Sequence, residues 1–261
     1  MRLTVLASSS SGNCCLVRSG GDSVLIDAGI SAKRIRDGLG EAGLTPAELT
    51  GILITHEHSD HIQGLTVLLK STAAPVYAPG VLAAALARLA PGAAGRLRVL
   101  PMEEATALGS LSVLPFPTPH DVNQSVGYRI EAEGAVFALA TDTGCITEEM
   151  LRALSGADIA LIEANHDEQL LRYGPYPVPL KRRILSDRGH LSNAECTWLA
   201  SVLAQRGTGQ IVLGHLSRQN NDPRLAFRTV SRGVEATAAR LYVAPELGLL
   251  ELETETDPCC V

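Results

Sequence analysis

Directly after the apolar run Gly51-Ile52-Leu53-Ile54, the chain reads Thr55-His56-Glu57-His58-Ser59-Asp60-His61, three imidazoles and two carboxylates within seven residues. An apolar run of that length is a buried strand. Open α/β sheets carry their sites outside the carboxyl ends of such strands. His56 and His58 are two apart, so on extended chain they project to the same side. Asp60 and His61 precede Ile62, Leu65 and Leu69, an apolar spacing that predicts a helix starting there. Two histidines can then grip one metal while the Asp-His pair turns toward a second. A solvated polar loop is the alternative, but a His-rich tract behind a buried strand favours metal.

The 261-residue chain as a whole has the composition of a folded α/β protein, with 46% hydrophobic and 19% charged residues. Apolar runs predict strands at 3–6, 14–17, 24–27, 76–77, 97–100, 111–114, 126–130, 136–140, 159–162, 211–213, 241–243 and 249–252. Glu133-Gly134 is a hairpin turn between two of them. An amphipathic stretch covers 32–42, and Thr45-Pro46-Ala47-Glu48 and Ser192-Asn193-Ala194-Glu195 are capping boxes; Gly207 can stop the helix that the second one opens. We expect one domain over 1–252 and a flexible polar tail over 253–261. No apolar stretch is long enough to cross a membrane, and the apolar run at the amino terminus is too short for a signal peptide. The six cysteines form no Cys-x-x-Cys, which fits a cytoplasmic protein. Cys145, close behind Asp142, is expected to be a buried small hydrophobe.

Four further pieces stand at strand ends downstream and upstream of the cluster: His120 in Thr118-Pro119-His120-Asp121, Asp142 in Ala140-Thr141-Asp142-Thr143-Gly144, His215 after Ile211-Val212-Leu213-Gly214, and Asp27 after Val24-Leu25-Ile26. With His-x-His-x-Asp-His, this ordered set resembles the metallo-β-lactamase superfamily. The resemblance implies an αββα sandwich, two mixed sheets flanked by helices. It also implies two divalent metals. His56, His58 and His120 would hold one, Asp60, His61 and His215 the other, and Asp142 would bridge both. Asp27 would support the metal loop rather than bind metal, as ligating imidazoles need their other nitrogen held; an ordinary Asp-x-Gly turn is the plainer alternative. Imidazoles favour zinc and carboxylates accept manganese, so either metal is admissible.

Glu163, His190 and His215, in this order, are similar to the ribonuclease Z group of phosphodiesterases, in which a Glu-His pair works beside the metals. The run Ser8-Ser9-Ser10-Ser11-Gly12-Asn13, the stretch Glu163-Ala164-Asn165-His166-Asp167 and the segments Gly189-His190-Leu191-Ser192 and Gly214-His215-Leu216-Ser217 more closely resemble the bacterial YycJ/WalJ family. That family is associated with 5′-to-3′ exonuclease activity on DNA. Only twenty-one residues separate His120 from Asp142, too few for the substrate arm with which ribonuclease Z proteins grip tRNA. His166 is expected at the surface or as a helix cap.

The resemblance therefore implies a dinuclear metal-dependent phosphodiesterase, a nuclease on single-stranded or 5′-ended DNA. Asp60, Glu163 and His190 would be its catalytic groups, with His190 protonating the leaving oxygen. Net charge is −6, yet residues 172–232 hold ten Lys or Arg against three Asp or Glu, a balance of +7. Such a segment is the electrostatic footprint of a phosphate-backbone binder, or else a plain solvated face. Lys181, Arg182 and Arg183 would guide the strand; Arg218, Ser10, Ser11 and Asn13 would position phosphates, the serine run alternatively being only a hairpin turn. Rival readings are a hydrolase of small cyclic phosphodiesters with a closed pocket, a thioester or lactam hydrolase, and a binding protein that retains metals without catalysis.

Overall fold

A computed structural model describes residues 1–254. Two seven-stranded sheets face each other. The first contains β1 (Arg2–Ala7), β2 (Cys14–Ser19), β3 (Asp22–Ile26), β4 (Gly51–Leu53), β5 (Val76–Pro79), β6 (Leu97–Leu100) and, beside β1, β14 (Leu250–Glu253). The second runs β13-β12-β11-β10-β9-β8-β7, from Arg240–Val243 through Gln210–Gly214, Ile159–Glu163, Ala135–Ala140, Val126–Ala132 and Leu111–Pro117 to Thr106–Leu108. Each sheet is antiparallel in one half and parallel in the other: β3 to β6 in the first, β10 to β13 in the second. Helices α1 (Ala32–Glu41), α2 (Ser59–Ile62), α3 (Leu65–Leu68) and α4 (Gly80–Leu89) follow strands of the first sheet. Helices α5 (Glu148–Leu154), α6 (Glu168–Tyr173), α7 (Val178–Ile184), α8 (Asn193–Gln205) and α9 (Pro223–Val234) belong to the second half. This is the αββα sandwich expected from the sequence.

Alternation along the strands builds three apolar layers. Val24 and Ile26 of β3 point inward to meet Tyr128, Ile130 and Phe137 of the facing sheet, while Leu25 points outward to Ile35 and Leu39 of α1. Phe137 and Leu139 of β10 point inward; Ala138 and Ala140 point outward to Leu199 and Leu203 of α8. Strands buried on both faces lose polar positions, which is why β4, β11 up to Ile162 and β12 from Ile211 are apolar runs. Among the described residues no helix is long and apolar enough to cross a membrane.

Both capping boxes form, at Thr45–Glu48 and Ser192–Glu195. Glu133 and Gly134 turn the β9–β10 hairpin with positive φ. The helix predicted after Asp60 is broken instead into the two four-residue turns α2 and α3. Gly64 lies at the break and packs against backbone: its N–H donates to Ala28 O at 2.8 Å, and a Cβ there would meet Ile30 O at 2.1 Å. The last strand extends to Glu253, whose carboxylate pairs with Arg2, and Thr254 bonds the chain's first residue. Residues 253 and 254, expected in the tail, are thus held to the fold; the rest of the expected tail, 255–261, lies outside the described residues.

The metal-loop segment leans on Gly29. Asn13 N–H donates to Asp60 O, Gly29 N–H donates to Asn13 O, and a Cβ on Gly29 would stand 1.6 Å from Asp60 O. Gly29→Ala must push the Asp60 turn aside. We expect it to destabilise the protein by about 1–3 kcal/mol, read as a melting temperature lower by several degrees. An unchanged melt would show that the turn yields freely.

Candidate metal centre

The polar groups collect along one seam, where the carboxyl ends of the parallel strands of both sheets meet. β4 delivers Thr55 and the His56–His61 turn, β8 delivers His120, β10 delivers Asp142, β11 ends in Glu163 and β12 is followed by His215. The two sheets are joined there: Tyr128 Oη donates to Ile54 O at 2.6 Å, and Val126 N–H donates to Thr55 O at 3.0 Å.

Two donor sets converge. His56 Nε2, His58 Nδ1 and His120 Nε2 form the first, with 3.1 Å between His56 and His58 and 3.3 Å between His120 and His58. Asp60, His61 and His215 form the second: Asp60 Oδ2 lies 3.6 Å from His61 Nε2 and 3.4 Å from His215 Nε2. Asp142 stands between them, 3.2 Å from His61 Nε2, 3.4 Å from His215 Nε2 and 3.8 Å from His120 Nε2. Its buried Oδ2 has no hydrogen-bond partner among the described residues. Imidazole nitrogens converging on a buried carboxylate oxygen that lacks a hydrogen bond are an unfavourable arrangement unless a cation lies between them. The donor set suits divalent metals with mixed nitrogen and oxygen ligands.

The far nitrogens are held as metal-ligating imidazoles require. His61 Nδ1 meets Asp27 Oδ2 at 2.7 Å, His215 Nδ1 meets Glu163 Oε1 at 2.7 Å, His56 Nδ1 meets Thr55 Oγ1 at 3.1 Å, and His120 Nδ1 meets Gly189 O at 3.2 Å. Asp27 also accepts the Thr55 N–H at 2.9 Å and its hydroxyl. Burial opposes a charge on His61, but Asp142 and Asp27 outweigh it and raise its pKa well above the ordinary value. Burial likewise opposes charge on Asp142, while His215, His61 and His56 hold its carboxyl well below the usual range.

Glu163 is the hub on the second sheet. Its Oε1 receives His190 Nδ1 at 2.8 Å as well as His215, and its Oε2 accepts the N–H groups of Thr143 and Leu191 at 3.1 Å each. Burial works to raise its pKa, but His190 and His215 bring it down to about 2. Burial works to lower the pKa of His190; Glu163 and then Asp142 reverse that and raise it. The sequence pairs Glu163 with His190 alone, whereas the structure gives it His215 too.

Beside the two sets a cavity of ≈ 210 Å³ is lined by Ser10, His58, Asp60, His120, Asp142, His190 and His215, with Asp121, Asn165, Tyr176, Leu180, Arg183, Ile184, Gly189 and Ser217 completing it. Several expected substrate contacts are placed elsewhere. Every N–H from Ser8 to Asn13 has an internal acceptor: Pro245 O, Asn13 Oδ1, Leu216 O, Ser9 Oγ, Ser9 O and Asp60 O in turn. The loop's amides therefore brace the Asp60 and His215 turns and are not free to cradle a phosphate. Ser8 Oγ accepts the His215 N–H at 2.8 Å, and buried Asn13 lies 3.1 Å from His61 Nε2. Ser10 alone of the expected loop contacts reaches the cavity; Ser11 is exposed outside it.

Lys181 donates to the carbonyls of Arg172 and Gly174, tying the end of α6 to α7, and Arg218 pairs with Glu246. Arg183 reaches the cavity but pairs there with Asp121, while Arg182 is exposed outside its lining. Asp121 itself lies 3.3 Å from His120 Nε2, a proximity that its place beside His120 in the chain could have signalled. Tyr176, Leu180 and Ile184 had a helical spacing as their only signal. His166 is buried, contrary to expectation, and neither ring nitrogen has a hydrogen-bond partner among the described residues. Its burial lowers its pKa, and its main chain pairs with Ser192. Cys145 is half-buried, less enclosed than expected, and does not line the cavity.

Replacing Asp27 by Asn removes the anionic acceptor of His61 Nδ1 while keeping the side-chain shape. Asp27→Asn is expected to weaken metal binding at the Asp60–His61–His215 set about 10–100-fold, with much less effect at the other set. Competition against a chromophoric chelator reads both affinities; equal weakening of the two would refute a role confined to His61.

The profile of the Beta-lactamase superfamily domain matches residues 22–216. The chain is 38% identical over 233 residues to the exodeoxyribonuclease WalJ of Streptococcus pneumoniae, covering 88% of this chain and 86% of that protein. It is 36% identical over 236 residues to the exodeoxyribonuclease YycJ of Bacillus anthracis, covering 90% and 89%. Zn(2+)-bound PqqB from Methylobacterium extorquens superposes with a TM-score of 0.76 over 97% of this chain and 100% of that one, at 20% identity, a likeness of fold. By its sandwich, the order of its strand-end ligands and these matches, the chain belongs to the metallo-β-lactamase superfamily.

Proposed function

We propose that this protein is a metal-dependent exodeoxyribonuclease that removes nucleotides from the 5′ end of single-stranded DNA. The likeness to two exodeoxyribonucleases over about nine-tenths of the chain carries the reading. The geometry supports it, because both donor sets and His190 open onto one cavity. His56, His58 and His120 would hold one divalent metal, Asp60, His61 and His215 a second, and Asp142 both. Bound there, the metals would supply an activated water and neutralise charge on the phosphoryl oxygens. Zinc and manganese both match this donor set.

The chain's own groups do the rest. Glu163 holds Nδ1 of His190, which leaves Nε2 as the atom able to pass a proton to the departing oxygen. Against the effect of burial, Glu163 and then Asp142 raise the pKa of His190, the direction that favours the proton a general acid must carry. Asp27 and Glu163 keep His61 and His215 aimed while substrate passes. Five of the ten basic residues in 172–232 (Lys181, Arg183, Arg188, Arg206 and Arg218) have internal partners and Arg183 alone lines the cavity, so the attraction of a polyanion rests on the segment's +7 balance as a whole. The described cysteines are free thiols, in keeping with a reducing, cytoplasmic setting.

Single strands labelled at either end, incubated with Zn²⁺ or Mn²⁺ in turn, test the reading. A 5′ label should emerge at once as a mononucleotide, while a 3′-labelled strand shortens progressively. Internal cuts or the opposite polarity would reject it, and turnover of cyclic nucleotides alone would favour the small-phosphodiester alternative.

His190→Ala should lower kcat about 10²–10⁴-fold at unchanged metal content, and the loss should shrink for a p-nitrophenyl leaving group that departs without a proton. Glu163→Gln should behave differently, because it also releases His215: elemental analysis should find less metal. Equal losses of His190→Ala on good and poor leaving groups would remove His190 from proton transfer.

A further inference from the structure

The cavity beside the donor sets has two unlike walls. One carries the ligand side chains; the other carries Tyr176, Leu180 and Ile184, with Arg183 beside them. Leu180 and Ile184 are four residues apart on one face of α7, and Tyr176 comes from the bend just before that helix. Ile184 is buried, and Tyr176 and Leu180 are half-buried, leaving an aromatic ring and an aliphatic side chain turned to the opening. A phosphate alone has no use for such a wall, and keeping it wet is unfavourable. A ligand that brings a flat apolar face together with its phosphate would cover it. The cavity of ≈ 210 Å³ is also small beside the roughly 300–1,000 Å³ clefts that enclose a whole drug-sized ligand. It suits one unit of a longer molecule, with the remainder outside. On the outer side of the same helix pair, Tyr173 is 79% exposed in a stretch that carries Arg172 and Arg182. Aromatic residues among basic ones are the makeup of single-strand binding surfaces.

We propose that Tyr176, Leu180 and Ile184 form a stacking subsite for the terminal nucleobase, with Tyr176 as its platform and the phosphate held toward the donor sets. The identity of the polymer rests on the nuclease reading above; the subsite itself requires only a nucleotide. A base lying on this wall has left the duplex stack, so the subsite selects unpaired ends over paired ones. Arg183, held at the rim by Asp121, is placed to meet the next phosphate along the strand.

The test compares metal-loaded protein binding deoxyadenosine 5′-monophosphate with 2-deoxyribose 5-phosphate, which lacks the base. Stacking predicts that the nucleotide binds about 5- to 150-fold more tightly. Tyr176→Phe should keep that preference and Tyr176→Ala should bring it to within about threefold by the loss of the same contact. Should the Ala variant fail to fold, Tyr176→Leu, which keeps bulk without a ring, carries the same comparison. Equal binding of the two ligands by the wild-type protein overturns the subsite, as does a Tyr176 variant that weakens both ligands alike. A protein that shows the preference but cuts no strand would refute the nuclease reading and leave the subsite standing; one that cuts strands without the preference would do the reverse.

Discussion

A carboxylate with no access to water governs the second half of this molecule. Glu163 ends a strand whose neighbours are all apolar, and an unpaired charge there would cost several kcal/mol. Four hydrogen bonds satisfy it, and each runs to something that the site needs: His190, His215, and the N–H groups of Thr143 and Leu191, neighbours of Asp142 and His190. One buried group therefore sets a proton donor, a ligand and the turn that carries the bridging carboxylate. Asp27 does the same on the first sheet, fixing Thr55 and His61 through its two oxygens. The two acids are counterparts, one for each sheet, and each orders a histidine from the opposite side of the cluster.

Order of this kind would be lost if the sheets could slide. The seam is closed by contacts that cross it: Tyr128 to Ile54, Val126 to Thr55, and the serine loop, which leaves the first sheet to reach the His215 turn. That loop has no amide left over for a ligand. Its serines and Asn13 serve the spacing among Asp60, His61 and His215, where a shift of an ångström would separate the ligand atoms beyond the reach of one ion.

Much of this was legible beforehand because metal chemistry demands particular residues at strand ends, and apolar runs mark those ends. His56, His58, Asp60, His61, His120, Asp142 and His215 are brought together, although six or more strands and eighty-five or more residues separate the first from Asp142 and His215. The capping boxes were equally plain, as their signal is local. Long-range choices were not. Whether the serine run binds phosphate or braces the core depends on which carbonyls meet its amides, and those belong to Asp60, Leu216 and Pro245. Lys181 looks like a strand guide until α6 ends within its reach. His166 lies in a polar stretch that reads as surface, yet its main chain joins Ser192 and pulls it inside. The break between α2 and α3 depends on how closely Gly64 approaches Ala28 and Ile30, a contact without local signature.

Asp27, Asp142 and His215 share one further property: each has a left-handed backbone, with φ of 60°, 55° and 55°. Each follows a strand that must stop abruptly for its side chain to turn into the seam. Most residues adopt this conformation reluctantly, and Asp, Asn, His and Gly adopt it most readily. Two filters thus act on the same positions, one for a ligand or its support and one for the shape of the main chain. A descendant of this fold that abandoned its metals would escape the first filter but not the second. Drift at these three places would then run toward Asn and Gly rather than Ala, and the loss of catalysis would be recorded in the backbone's own vocabulary.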